Sequence, residues 1–301
     1  MTHRTHPCVL VGVDGSEQSL AALDLAAAEA KRRHHPLRIV SAYQWTMYTY
    51  TGMGPMAVPV TASEPAGAAK TILEQAAEAT RTRHPEIQIM TEAIEGGAAA
   101  ALVRESASAS LLVVGNRGLG GFTGMLAGSV ATQVASHSRC PVIVVRPGAD
   151  TSAIAATTHP VVVGVDGIER TQPAVEFAFE EAASRGVSLT AIHVWAEPPR
   201  SGDDQFKPVA YDYDEAHREA TRTLAEALAG YQEKYPDVPV FREVVCSLNP
   251  AEQLLRVTKE AGLIVVGSRG RGGFSGLLLG SVGQALIHHA DCPVAVVRTG
   301  Q

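Results

Sequence analysis

GNRGLGGFTGMLAGSV at Gly115–Val130 returns as GSRGRGGFSGLLLGSV at Gly267–Val282, 152 residues later. The same offset carries VLVGVDG at Val9–Gly15 onto VVVGVDG at Val161–Gly167, and CPVIVVR at Cys140–Arg146 onto CPVAVVR at Cys292–Arg298. From 115 to 146, 18 of the 32 positions are identical between copies, so one structural unit is written twice with scarcely any change in length. Between the copies, the small, Thr-rich, Pro-bounded stretch over 148–159 reads as a linker separating domains 1–147 and 160–301.

Within each copy, short β-branched runs alternate with Ala-rich stretches at helical period, the pattern of βαβ units. In the first copy the pattern predicts strands at Cys8–Val13, Leu37–Tyr43, Gln88–Ile94, Leu111–Gly115 and Pro141–Arg146. Helices are expected near Ser19–His34, Glu64–Arg83, Gly97–Ser108 and Ala127–His137. The runs LLVV and LIVV lack polar alternation, as strands covered on both faces do. The expected class is therefore α/β, with two tandem doubly wound, five-stranded parallel-sheet domains of Rossmann-like order 3-2-1-4-5. In that order the last strands, PVIVVR and PVAVVR, are apolar edges, and pairing them with each other makes a pseudo-dimer inside one chain.

The composition narrows the function classes. There are 301 residues with 25 basic and 31 acidic side chains, a net charge of −6, and no basic block, which argues against a nucleic-acid partner. No apolar run approaches a membrane span, and MTHRTHP lacks a signal-peptide core, so a cytoplasmic location without membrane contact is expected. Cysteines 8, 140, 246 and 292 show no CxxC spacing and read as reduced and mostly buried. The eleven histidines show no metal-ligand spacing, so no metal ligands are assigned.

Chemistry points to the ends of strands 1 and 4, which flank the switch point where open α/β sheets bind ligands. Strand 1 ends in Gly12, Val13, Asp14, Gly15 and Ser16, and strand 4 runs into Gly115, Asn116 and Gly118 before Gly128, Ser129, Val130 and Ala131 open a helix. The second copy repeats these elements. Gly164, Val165, Asp166 and Gly167 face Gly267, Ser268, Gly270, Gly280, Ser281, Val282 and Gly283. Glycines there admit close backbone approach, and a helix start with free amides suits a phosphate. Neither a Walker GxxxxGK[ST] nor a GxGxxG after strand 1 is present. Arg117, Arg269 and Arg271 are expected to be solvated, outside the core of the site.

The spacing G-x2-G-x9-G-[ST], at Gly115, Gly118, Gly128, Ser129 and again at Gly267, Gly270, Gly280, Ser281, resembles the ATP-binding signature of the universal stress protein family. The resemblance covers nearly the whole chain, as two tandem domains like those of actinobacterial stress proteins. It implies that Asp14 and Asp166 hold the ribose and adenine side, and that backbone groups at Ala42 and Val194 meet the adenine edge. The glycines and serines, with Asn116 and Ser268, would wrap ribose and phosphates, the ligand being ATP with Mg2+. Two departures, Ile168 opposite Ser16 and Gly283 opposite Ala131, predict weaker binding or altered phosphate contacts in the second copy.

With no P-loop lysine and no carboxylate placed as a base, no catalytic residue is assigned, and any ATP hydrolysis is expected to be slow. A regulatory nucleotide-binding protein is the leading expectation, homodimeric and with a protein partner not named by the sequence. An ATPase or adenylyl-using enzyme and a non-binding interaction module are the alternatives. The long segment Gln44–Ser63 and its counterpart Ala196–Ala216 read as a lid or partner surface.

Overall fold

The computed structural model describes residues 7–44, 65–119, 128–146, 158–167, 171–196, 213–269 and 279–298. The linker, most of the segments 44–63 and 196–216, and Gly270 lie outside the described residues. Packing divides the chain into two units, the division falling near Val134 in the helix that follows Gly128.

The first unit runs β1 (Cys8–Gly12), α1 (Glu17–Arg33), β2 (Leu37–Tyr43), α2 (Pro65–Arg83), β3 (Ile89–Glu95), α3 (Ala98–Glu105), a 3-10 turn (Ser106–Ser108), β4 (Ala109–Gly115) and the start of α4 (Ser129–His137). Its strands lie in the order β3-β2-β1-β4, all parallel. Val9, Leu10, Val11, Leu111, Leu112 and Val113 are completely buried, which is why these runs carry no polar alternation.

The second unit takes β5 (Val142–Val145) together with β6 (Val161–Val165), α5 (Gln172–Arg185), β7 (Leu189–Trp195), α6 (Tyr213–Ala227), α7 (Tyr231–Lys234), β8 (Val240–Cys246), α8 (Pro250–Val257), β9 (Leu263–Gly267), α9 (Ser281–His289) and β10 (Val294–Val297). The order β10-β9-β6-β7-β8 is the expected one, and β5 adds to it antiparallel to β10, with Val144 opposite Val294 and Ile143 opposite Ala295. The fifth strand of the first copy therefore packs with the second unit, where its wholly buried VIVV run covers the edge that β10 would otherwise expose. On this strand, the Arg146 guanidinium donates to the Ile287 carbonyl at 3.0 Å, in the last turns of α9.

Two features recur at the repeat offset. Both first helices end on a left-handed residue, His34 (φ 53°) and Gly186 (φ 66°), whose amide bonds back to the last turn. Both also bury a glutamate, Glu29 and Glu181, beside arginines on the next turn. One feature does not recur. The long α2 is broken in the second copy into α6 and α7 at Gly230, whose φ of 79° no ordinary helical residue adopts, and Tyr231 and Tyr235 stack on Phe179 beyond the break. Among the described residues, no helix is long and apolar enough to cross a membrane.

Candidate functional site

β1 and β4 are neighbours, with Val11 beside Val113, so the Asp14 turn and the loop leaving Gly115 emerge side by side. Asp14 bridges them. Its Oδ2 accepts the Leu119 amide at 2.8 Å, and its Oδ1 accepts both the amide (3.0 Å) and the hydroxyl (2.6 Å) of Ser16. Burial alone would raise the Asp14 pKa, but these hydrogen bonds to the ionised form outweigh it and hold the carboxyl below its ordinary value. The loop needs glycine at 118, because a Cβ there would stand 2.2 Å from the Asp14 Oδ2. Its far end is tied where the Gly128 amide donates to the Asn116 carbonyl at 2.7 Å.

Between the two segments lies a crevice of about 420 Å³. Val40, Ala42, Ala98 and Leu102 form an apolar wall, and Gly118, Gly128, Ser129, Val130 and Ala131 form the opposite side at the start of α4. Among the described residues no side chain caps that helix, and Gly128 offers its first amides no side-chain acceptor. Gly12, Val13, Asp14, Gly115 and Asn116 also line the crevice. Leu102 folds over Gly12, its Cδ1 2.7 Å from where a Cβ would sit, so a larger residue there would make Leu102 shift.

The remaining expected residues take other places. Gly15 supplies the left-handed turn (φ 85°) and Ser16 caps α1, accepting the Ser19 amide at 3.3 Å, so both build the turn that aims Asp14 and stay out of the crevice wall. Arg117 differs from expectation. It lines the crevice, and its Nε is buried with no hydrogen-bond partner among the described residues, whereas its counterpart Arg269 is exposed and Arg271 lies outside the described residues. Ser19, Val40, Ala98, Leu102 and Val114 are wall residues that the motif did not mark. For Leu102 a signal existed in the glycine at position 12 of an otherwise bulky strand, which asks what lies over it.

In the second copy, the Gly280 amide donates to the Ser268 carbonyl at 2.8 Å and Gly280 starts α9, again with no capping side chain. Asp166 accepts the Thr171 hydroxyl at 3.2 Å, and Val165 and Gly167 flank it. The buried His193 donates from Nδ1 to the Val165 carbonyl at 2.6 Å, which makes it a structural histidine of the strand floor. Gly164, Val194, Gly267, Ser281, Val282 and Gly283 occupy the positions of their first-copy partners in strand ends and helix start. The thiols of Cys140 and Cys292, pushed up by burial to about 11 and about 12, stay protonated at neutral pH. Among the described residues, no three His, Cys, Asp or Glu side chains gather as a metal site.

The model of the universal stress protein family matches residues 8–146 and again 157–298. The chain belongs to that family. A universal stress protein of Mycolicibacterium smegmatis is 38% identical over 293 residues, covering 96% of each chain. One from Mycobacterium tuberculosis is 36% identical over 299 residues, again covering 96% of each. A solved universal stress protein from Archaeoglobus fulgidus shares the fold at 20% identity, with a TM-score of 0.61 over 97% of this chain and 98% of its own. In this universal stress protein, the turn after β1 and the glycine loop after β4 meet through the Asp14 carboxylate and the Leu119 amide.

Proposed function

We propose that this universal stress protein is a regulatory nucleotide-binding protein whose ligand is ATP, with a crevice for it in each repeat. The observation that carries the reading is the convergence of the Asp14 turn and the glycine loop on one crevice of about 420 Å³, within the range of about 300 to 1,000 Å³ typical of small-molecule sites. Its three kinds of surface suit three parts of a nucleotide. The Val40, Ala42, Ala98 and Leu102 wall suits a flat base, the Asp14 carboxylate suits sugar hydroxyls, and the uncapped start of α4 with Ser129 suits phosphates. Asp166, Val194, Gly267, Gly270, Gly280 and Ser281 hold the corresponding roles in the second repeat. Four or five hydrogen bonds to charged groups, each about 1.5–3 kcal/mol, support affinity near micromolar after the cost of ordering the ligand.

Among the described residues Asp14 is the sole carboxylate lining the first crevice, and three hydrogen bonds already occupy it. Mg2+ therefore enters with the phosphates, whose oxygens are the hard ligands it prefers, and not through a cage of protein carboxylates. The same fact disfavours an ATPase, because a carboxylate held ionised by its neighbours is a poor base toward water. The ligand changes the partner surface of a cytoplasmic homodimer. Mass spectrometry of small molecules released from the denatured protein, with calorimetric titration of MgATP, tests the reading, and an empty protein that ignores added ATP refutes it. Turnover faster than about 1 per second would favour the enzyme instead.

A further inference from the structure

The two crevices share a frame but not the same lining. In the first unit Gly12 pairs with Val40, and Leu102 lies over that face of the sheet. In the second, Gly164 pairs with Ile192, and Leu254 lies over it with Cδ1 2.9 Å from an ideal Cβ. The register places Ile192 and Val194 on the face where Val40 and Ala42 line the first crevice, and Pro250 starts α8 where Ala98 starts α3. At these three positions each change adds bulk, while Asn116, also on the first lining, is replaced by the smaller Ser268. Val to Ile adds one carbon, Ala to Val two, and Ala to Pro two.

On the opposite wall a methyl group is lost and a buried leucine lies beside its place. In the first unit Ala131 carries its methyl group on the crevice lining. In the second, that position is Gly283, and the Leu279 side chain, 2% exposed, lies 3.1 Å from where the missing Cβ would be. Leu279 stands at the offset of Ala127 in the sequence. The second repeat has thus lost a methyl group from the helix and seated a buried leucine from the adjoining turn against it. Seating a ligand there would have to displace the buried Ile192 and Leu279 side chains.

We infer that the crevices are unequal: the second is filled by its own Leu279, Ile192, Val194 and Pro250, so the chain takes up one purine nucleotide with high affinity, in the first repeat. The inference rests on the nucleotide reading above. The second crevice keeps the Asp166 turn and the Gly280 helix start but binds the same ligand at least tenfold more weakly.

Titration of the full chain with MgATP, read by calorimetry and by equilibrium dialysis, tests this. One strong site per chain is expected. Ala42→Val with Ala98→Pro, which copies the second lining into the first repeat and places proline where a helix start tolerates it, should weaken that site at least tenfold with an unchanged thermal melt. Val194→Ala with Leu279→Ala should raise the stoichiometry toward two, and Val194→Ala alone should strengthen the weak site if the double variant melts early. Two sites of equal affinity in the unaltered chain, or one strong site indifferent to Ala42→Val and Ala98→Pro, overturns the inference and leaves nucleotide binding standing. A chain that binds no nucleotide overturns both.

Discussion

Asp14 accepts the amide of Leu119, a residue 105 positions away, at 2.8 Å, and thereby fastens the turn after the first strand to the loop after the fourth. The same carboxylate takes both donors of Ser16, which in turn caps the first helix. One side chain therefore serves the shape of the crevice and its polarity together. Ligand contact and helix-start geometry share this residue and are not competing explanations of it.

Removing that carboxylate is expected to show in two measurements at once. Asp14→Ala should weaken MgATP binding by about 1–3 kcal/mol, roughly five- to 150-fold, and also lower the melting temperature, because the Leu119 and Ser16 donors lose their acceptor. Gly118→Ala should reproduce the loss of affinity with a smaller effect on melting, since its Cβ would collide with the Asp14 Oδ2 at 2.2 Å and push the loop away without unfolding the sheet. Calorimetry beside a thermal melt separates the two.

Acid should act through the same group. The native Asp14 pKa lies below its unfolded value, so the unfolded chain takes up the proton first as pH falls. The stability Asp14 contributes is fully present above the unfolded pKa, about 3.9, and is lost as pH drops through the lower native value. In urea titrations the stability difference between the unaltered protein and Asp14→Asn should be constant from pH 7 to about pH 5 and shrink below about pH 4.

His34 holds a left-handed conformation that its counterpart Gly186 adopts without a Cβ. His34→Gly should therefore stabilise the first unit by about 0.5–1 kcal/mol, the relief of backbone strain exceeding the extra entropy of the unfolded glycine. Denaturant unfolding would register it as a higher midpoint with the same slope.

Glu181 is fully buried and pairs with the Arg185 guanidinium at 2.6 Å on the next turn of its helix. Glu181→Gln leaves an interior cation without its partner charge and should cost about 3–5 kcal/mol. Adding Arg185→Met to it should recover much of the loss, which chemical denaturation of the single and double variants would measure.

Much of the fold was legible because the repeat supplied two readings of each element. Leu37–Tyr43 matches its strand end to end, and the observed order β3-β2-β1-β4 is the one expected as a common solution that satisfies the crossover rule. The apolar run at 142–145 announced that something must cover it, yet its grouping with the second unit is a tertiary outcome. The break at Gly230 was hidden because a lone glycine in a helical pattern is common, and the burial of Glu29 and Glu181 carries no sequence mark, because a helical glutamate is normally exposed. In the crevice, the motif marked the residues that turn the backbone. Val40, Ala98 and Leu102 escaped notice because apolar wall and apolar core look alike in sequence.

β5 (VIVV) and β10 (VAVV) are the matching strands of the two sequence repeats, and they pair antiparallel. A fragment ending at Arg146 would leave its VIVV edge bare and should be recovered as a dimer of fragments.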